Sequence, residues 1–262
     1  MDAETQRNLD LAKEAFGRRR SDLAETFLRR VLAREPRHAW AVTALSAAMR
    51  SQRRYPEALE QAQLALRLYP VSGYAHITLA IVLAIVEERE PALRHGFEAL
   101  RLLPEFPRHY RLVANILHEL ERYEEAIEMA KTGLSLRADY VPLQRQLAAS
   151  LAGIGRRDES MAVLENVFRT EPNEPETFCA AAWAAWLLKE PATAVHHARH
   201  ALSLKPTSAD AHGLLGLALM ELDQPAEAAV HLEECLKLNP YDKRVRAALE
   251  HVAGTIASGL PE

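Results

Sequence analysis

The sequence has little glycine, few aromatic residues and almost no cysteine. Of its 262 residues only 10 are glycine and 6% are aromatic, whereas 48% are hydrophobic. This composition favours an all-helical protein with an ample core over any sheet architecture. The two cysteines, Cys179 and Cys235, form no disulfide framework and do not have the paired spacing of a zinc site. We expect small buried or groove-lining thiols.

An excess of basic charge is also missing, and so are long apolar runs. The net charge of -4 argues against a general nucleic-acid binder. The longest apolar runs, ITLAIVLAIV (77–86) and CAAAWAAWLL (179–188), are each far shorter than the roughly 20 residues that span a bilayer. The opening MDAETQRNLDLAKEAF has acids and no apolar signal core. We expect a soluble, cytoplasmic protein with no membrane insertion.

Motifs that carry catalysis or bind cofactors are absent as well. The sequence contains no Walker loop, nucleophile elbow, HExxH or paired CxxC, and the GIG at 153–155 follows no predicted strand. The best metal candidate is HHARH, where His196 and His200 lie one helical turn apart, but no acid or cysteine lies nearby in sequence. A solvated histidine face explains that motif better. We expect no enzyme activity, no cofactor and no metal.

The feature that is present throughout is an internal repeat. Prolines recur at multiples of 34 residues, with one proline missing at Ala138, and they are Pro36, Pro70, Pro104, Pro172, Pro206 and Pro240. In this phase position 8 is always small, as Ala12, Ser46, Ala80, Ala114, Ala148, Ala182 and Gly216. Position 20 is also always small, as Ala24, Ala58, Ala92, Ala126, Ser160, Ala194 and Ala228. Small side chains let two antiparallel helices approach closely, so each unit is predicted to be a helical hairpin.

The period, the two small positions and the closing proline resemble the tetratricopeptide repeat family. RRYPEALEQAQLALRLYP and ERYEEAIEMAKTGLSLRAD are close to the second-helix pattern of that family. The resemblance implies an all-α, right-handed superhelical solenoid of seven hairpins, with a C-terminal capping helix over 243–258. The predicted units are 5–38, 39–72, 73–106, 107–140, 141–174, 175–208 and 209–242.

In this family the first helices line a concave groove, and positions 2, 5, 6, 9, 12 and 13 contact ligands. The predicted peptide-binding residues fall into three regions. The apolar region comprises Trp40, Tyr74, Ile77 and Ile81, and the basic region comprises Arg108, Arg111, Asn115, His118, Arg145 and Gln146. The aromatic region comprises Cys179, Trp183, Trp186, Leu217 and Met220. We expect Arg111, Asn115, His118 and Arg145 to form an anion-accepting floor between two apolar anchor regions.

The basic region is similar to the carboxylate clamp of chaperone-binding members of the family. Arg111, Asn115 and Gln146 occupy three of the clamp positions. The further basic positions of the clamp fall on Glu176 and Ala180, so the clamp is incomplete. A single carboxylate in an otherwise apolar segment therefore suits this region better than an acidic chaperone tail.

We therefore predict a non-catalytic protein–protein interaction adaptor. Its groove would hold an extended or helical segment of another protein, and that segment would carry an acidic group. Two alternatives stay open. The chain could be a self-associating scaffold and thus a homo-oligomer, or a regulatory subunit of a separate enzyme.

Overall fold

The chain is all-α, and its helices form seven consecutive hairpins and a final helix. A computed structural model describes residues 2–258, and within them there are fifteen helices and no strand. The helices are α1 (Ala3–Gly17), α2 (Ser21–Arg34), α3 (Ala39–Ser51), α4 (Tyr55–Leu68), α5 (Gly73–Ile85), α6 (Arg89–Leu102), α7 (Pro107–Glu119), α8 (Tyr123–Leu136), α9 (Val141–Gly153), α10 (Arg157–Thr170), α11 (Pro175–Leu187), α12 (Pro191–Leu204), α13 (Ala209–Glu221), α14 (Pro225–Leu238) and α15 (Lys243–Ser258). The prediction of an all-helical hairpin repeat is confirmed.

Local sequence explains where many of these helices begin. The side chains of Asp2, Ser72 and Ser208 accept hydrogen bonds from backbone N–H groups in the first turns of α1, α5 and α13. Such caps satisfy donors that have no partner inside the helix. Proline occupies the first turn of α4, α9, α11, α12 and α14, where its missing N–H costs nothing.

The turn inside each hairpin contains one residue with a left-handed backbone. It is always position 15 of the repeat, and the seven residues are Arg19, Arg53, Glu87, Glu121, Gly155, Lys189 and Asp223, with φ between 56° and 72°. Only one of the seven is glycine, although this conformation favours glycine. The geometry of the hairpin therefore sets the backbone at this position, against the local preference of six residues.

The small positions of the repeat lie where the two helices of a hairpin touch. All seven residues at position 8 and all seven at position 20 are buried. Where serine replaces alanine, its hydroxyl is satisfied across the hairpin. The Ser46 hydroxyl donates to the Ala58 carbonyl at 2.7 Å, and the Ser160 hydroxyl donates to the Ala148 carbonyl at 2.8 Å. These contacts confirm that the small residues allow the helices of each hairpin to pack closely.

The chain divides into two compact units between Leu112 and Val113, within α7. We refer to residues 2–112 as the first unit and to residues 113–258 as the second unit. In the first unit, α3 packs against α5. In the second unit, α9 packs against α11, α11 against α13 and α13 against α15. The surface formed by the first helices of the hairpins is called the first-helix face, and in the second unit it includes α15.

The fifteenth helix closes the core of the second unit. Val245 and Val252 are almost completely buried and join the cluster that contains Leu215, Leu232 and Cys235. These apolar contacts cover the last hairpin, which would otherwise expose its packing surface to water. The predicted capping helix is therefore present and packs as expected.

Candidate protein-binding surfaces

Two exposed aromatic residues mark the first-helix face of the first unit. Trp40 on α3 is 37% exposed and Tyr74 on α5 is 49% exposed. The Lys13 ammonium lies 5.7 Å from the centroid of the Trp40 ring. The Tyr74 ring lies 6.4 Å from the ring of Phe106. Large aromatic side chains that are partly exposed are typical of surfaces that bind another molecule.

Two arginines without carboxylate partners lie on the same unit. Arg108 is exposed, and its guanidinium lies 4.9 Å from the centroid of the Phe106 ring, which links it to Tyr74. Arg111 is also exposed. Among residues 2–258 no carboxylate forms an ion pair with either side chain. Neither guanidinium group is neutralised by a carboxylate, although the Arg108 Nε–H donates to His109 Nε2 at 3.4 Å.

The isoleucines predicted for this surface differ in accessibility. Ile77 is buried and contributes to the core of the first unit, whereas Ile81 is half-buried. A buried side chain cannot contact a ligand without a rearrangement. The prediction of Ile77 as a contact residue is therefore not supported, because its place in α5 turns it toward the core.

His118 in the second unit is buried and has partners at both ring nitrogens. It is 5% exposed. Its Nε2 accepts a hydrogen bond from the indole N–H of Trp183, and its Nδ1 lies 3.2 Å from the Ser150 hydroxyl. Because an indole N–H can only donate, the proton of the neutral ring must be on Nδ1, which donates to Ser150. Burial, and secondarily the charge of Arg244, lower the pKa of His118 to about 4.

The other polar side chains of the predicted anion floor in the second unit are partly engaged. The Asn115 amide donates to the Glu119 carboxylate at 2.9 Å, and the Gln146 amide lies 3.4 Å from the Ser150 hydroxyl. The Arg145 guanidinium lies 3.5 Å from the Glu171 carboxylate. His118 therefore offers no free donor to an anion, whereas the roles of Asn115 and Arg145 stay predictions, because the buried Arg145 Nη1 has no hydrogen-bond partner within the described residues. The sequence stripe places Asn115 and His118 on one face of α7, and Arg145 lies on α9, but the sequence does not show these contacts.

Trp183 is the centre of a cluster that joins four helices of the second unit. Its indole on α11 bonds to His118 on α7, and the Arg244 guanidinium on α15 lies 4.2 Å from the centroid of its ring. The Trp186 ring stacks on it at a centroid distance of 5.2 Å. Ser150 on α9 completes the cluster through His118. We call these five residues the Trp183 cluster.

The other predicted contacts of the second unit are largely inaccessible or unreactive. Leu217 is buried in the core, while Met220 and Cys179 are half-buried. Burial raises the pKa of the Cys179 thiol to about 12, so the group stays protonated at neutral pH. The Cys235 thiol is buried and its pKa is raised in the same way. Both cysteines are free thiols.

The alternative sites considered from the sequence have ordinary environments. His196 and His200 are exposed on α12, and the His200 ring lies against the Phe178 ring, tilted to it, at a centroid distance of 4.0 Å. In the described part of the chain no three His, Cys, Asp or Glu side chains are placed to hold a metal ion. None of the helices described is both long enough and apolar enough to cross a bilayer.

Sequence reasoning missed Arg244 and Ser150. Arg244 follows the last complete repeat and lies at position 2 of an eighth, incomplete one, so continuing the repeat phase past residue 242 would have placed it on the first-helix face. Ser150 had no such signal, because serine in a helix is common and its contact with His118 joins residues 32 positions apart.

Comparison with known proteins supports the repeat assignment. Models described as tetratricopeptide repeat match residues 9–72, 110–140 and 209–242. The chain matches no curated protein in sequence. A tetratricopeptide repeat protein from Parabacteroides merdae has a TM-score of 0.74 at 16% identity, and the match covers 96% of this chain and 100% of that one.

Two further solved structures share the fold. A chain of the APC/C hetero-tetramer Cut9-Hcn1 has a TM-score of 0.67 at 18% identity, with 92% of this chain and 48% of that chain covered. The type IV pilus biogenesis factor PilW has a TM-score of 0.58 at 18% identity, with 80% and 98% covered. At these identities the likeness concerns the fold alone. The family models, the repeat phase and the hairpin architecture agree, and the chain belongs to the tetratricopeptide repeat family.

Proposed function

We propose that this chain is a non-catalytic adaptor that binds a segment of another protein on the first-helix face of its first unit. The observation that carries the proposal is the pair of exposed rings, Trp40 and Tyr74, on the same unit as two exposed guanidinium groups, of Arg108 and Arg111, that no carboxylate neutralises. Repeat proteins of this family generally act as non-catalytic scaffolds, which agrees with this proposal.

The chemistry of this surface defines the partner segment. Exposed aromatic rings bind apolar side chains because contact removes apolar area from water. Guanidinium groups bind carboxylates through paired, charge-assisted hydrogen bonds. The segment therefore carries apolar side chains for Trp40 and Tyr74 and an acidic group for Arg108 and Arg111. We therefore still propose a partner with an acidic group, as the sequence predicts, but we place its contacts on the first unit alone.

A quantitative pull-down with surface variants tests the proposal. One variant combines Trp40→Ala with Tyr74→Ala, and the other combines Arg108→Ala with Arg111→Ala. We expect both to lose a partner that the wild-type chain retains. In a titration with the purified partner, loss of an aromatic anchor should cost roughly 2 kcal/mol or more. The arginine variant should also bind with weaker salt dependence, since exposed charges are screened by salt.

The matched control is Val230→Ala, which truncates a side chain that is 62% exposed on the second helix α14. This variant should retain the partner at the wild-type level. Normal binding by both double variants would exclude the first unit as the contact surface. If the chain retains only copies of itself, and its mass in light scattering rises with concentration, the chain is a self-associating scaffold instead.

A further inference from the structure

The contacts of Trp183 skip over neighbouring repeats. The indole lies on α11 in the sixth hairpin, its hydrogen-bond acceptor His118 lies in the fourth hairpin, and Arg244 follows the seventh. Stacking in a solenoid requires contacts only between adjacent repeats. The Trp183 side chain therefore contacts α7 and α15, which belong to neither of the hairpins adjacent to its own.

The environment of the indole resembles that of a bound ligand. A neutral imidazole accepts its N–H, a guanidinium lies over one region of its ring, and a second indole stacks on it. Each contact matches a specific feature of an indole: the single edge donor, the electron-rich face and the flat apolar surface. His118 is kept ready to accept, because burial lowers its pKa and Ser150 holds its Nδ1 proton.

We propose that the Trp183 cluster contains an indole-binding site on the first-helix face of the second unit, and that Trp183 occupies this site in place of a partner. A segment that inserts a tryptophan here must first displace Trp183, so the contact is autoinhibitory. This inference concerns the second unit and does not depend on the surface proposed for the first unit. The ligand class is an aromatic side chain with an N–H donor at its edge.

Removal of the built-in indole provides the test. Trp183→Ala should create a site that binds N-acetyl-tryptophanamide saturably in isothermal titration calorimetry. N-acetyl-phenylalaninamide should bind at least tenfold more weakly, because it leaves the buried His118 Nε2 without a donor. The wild-type chain should bind neither compound, since Trp183 fills the site.

Trp186→Ala is the matched control. It removes the neighbouring indole, whose N–H has no hydrogen-bond partner within the described residues. The resulting space should not distinguish the two compounds. A folded Trp183→Ala variant that binds neither compound, or binds both equally, would show an ordinary apolar contact and overturn the proposal.

A second variant keeps the test valid if Trp183→Ala does not fold. Arg244 is exposed, so Arg244→Ala removes the guanidinium without leaving an internal cavity. With Trp40→Phe and Trp186→Phe in the background, Trp183 is the only fluorophore of its type. Arg244→Ala should raise acrylamide quenching of Trp183 at least twofold, because the indole then leaves its site more often. Lys189→Ala, which removes a cation near position 186, should not change the quenching. Equal quenching in the Arg244 variant and its parent would contradict a displaceable occupant.

Discussion

His118 shows that the partners of a side chain determine its chemistry more than its position in a repeat. In the sequence it belongs to a row of donors with Arg108, Arg111 and Asn115. In the folded chain its ring is buried between Tyr123 and Trp183, with centroid distances of 5.1 Å and 5.8 Å. A positive charge on this ring would lose the hydrogen bond from Trp183 and would be poorly solvated. His118 is therefore a neutral acceptor and not a cation that attracts anions.

This role makes a measurable contribution to the pH dependence of stability. The pKa of His118 is about 4 in the folded chain and about 6.5 in the unfolded chain. The unfolded state therefore takes up the proton first as pH falls. The stabilisation is fully present above pH 6.5 and is lost between pH 6.5 and pH 4. Over that range it amounts to about 3 kcal/mol.

The variant His118→Gln keeps an acceptor for the Trp183 N–H but cannot titrate. We expect its free energy of unfolding, measured in urea, to fall less than that of the wild type between pH 7 and pH 4. The gap between the two proteins should change by about 3 kcal/mol. The variant His196→Gln, which removes an exposed imidazole, is the control. Parallel curves for His118→Gln and wild type would mean that His118 titrates as a solvated histidine.

In the hairpin turns, the residue types in the sequence do not match the conformation of the backbone. Six of the seven left-handed residues at position 15 carry a side chain, including the β-carbon that makes this conformation costly. Gly155 is the exception, with φ of 72°, and a β-carbon added there would meet no atom within 4 Å. The cost of substitution at Gly155 therefore comes from the backbone alone.

A pair of glycine substitutions separates backbone strain from steric contact. Gly155→Ala should lower the free energy of unfolding by about 1 kcal/mol because alanine is strained at positive φ. Gly17→Ala, at the end of α1, also adds a β-carbon with no atom within 4 Å, but the backbone there is helical. That change should raise stability by up to about 1 kcal/mol. Thermal or urea unfolding of both variants gives the sign of each change in the free energy of unfolding. Changes of the same sign would refute the assignment of strain to position 15.

The helices themselves were largely predictable from the sequence, whereas the turns were not. Small residues at positions 8 and 20 recur in every repeat and reflect a contact that every hairpin makes. The left-handed residue at position 15 has no common side chain, because the two flanking helices impose its backbone. Ser46 and Ser160 fit the small-residue pattern, and their cross-hairpin hydrogen bonds follow from the same close approach.

Across the whole chain, the sequence predicted contacts within a repeat and missed contacts between distant ones. The hydrogen bond between Trp183 and His118 joins residues 65 positions apart, and no periodic pattern marks it. The contact of Arg145 with Glu171 was also missed, although both residues lie in the repeat 141–174, because Glu171 lies outside the positions that were compared. The position of a residue in the repeat identifies the helix face that its side chain occupies. Which side chains on that face touch one another depends on their lengths.

Histidines that are buried or half-buried give both units a response to acid. Burial is the largest cause of a lowered pKa at five positions, which are His95, His109, His118, His197 and His231. Two of these rings are also close to a second imidazole, with Nδ1–Nδ1 distances of 3.1 Å for His76–His95 and 3.0 Å for His212–His231. Because each bond needs one ring to accept, full protonation of either pair would break it.

We therefore expect stability to fall as pH drops below the ordinary histidine pKa of 6.5. Below that pH the unfolded chain binds protons that the folded chain excludes, and each such proton lowers the free energy of unfolding by up to about 1.4 kcal/mol per pH unit. Carboxylates with a lowered pKa, such as Glu57 and Glu125, add to the loss of stability only as pH approaches their ordinary pKa of 4.5, whereas Asp210, whose pKa desolvation raises, has the opposite sign. Urea unfolding at constant ionic strength measures the slope. Replacing His95 and His231 together with Gln should reduce it, and an unfolding midpoint that stays flat from pH 6.5 to pH 5 would show that the histidines are solvated in the folded chain.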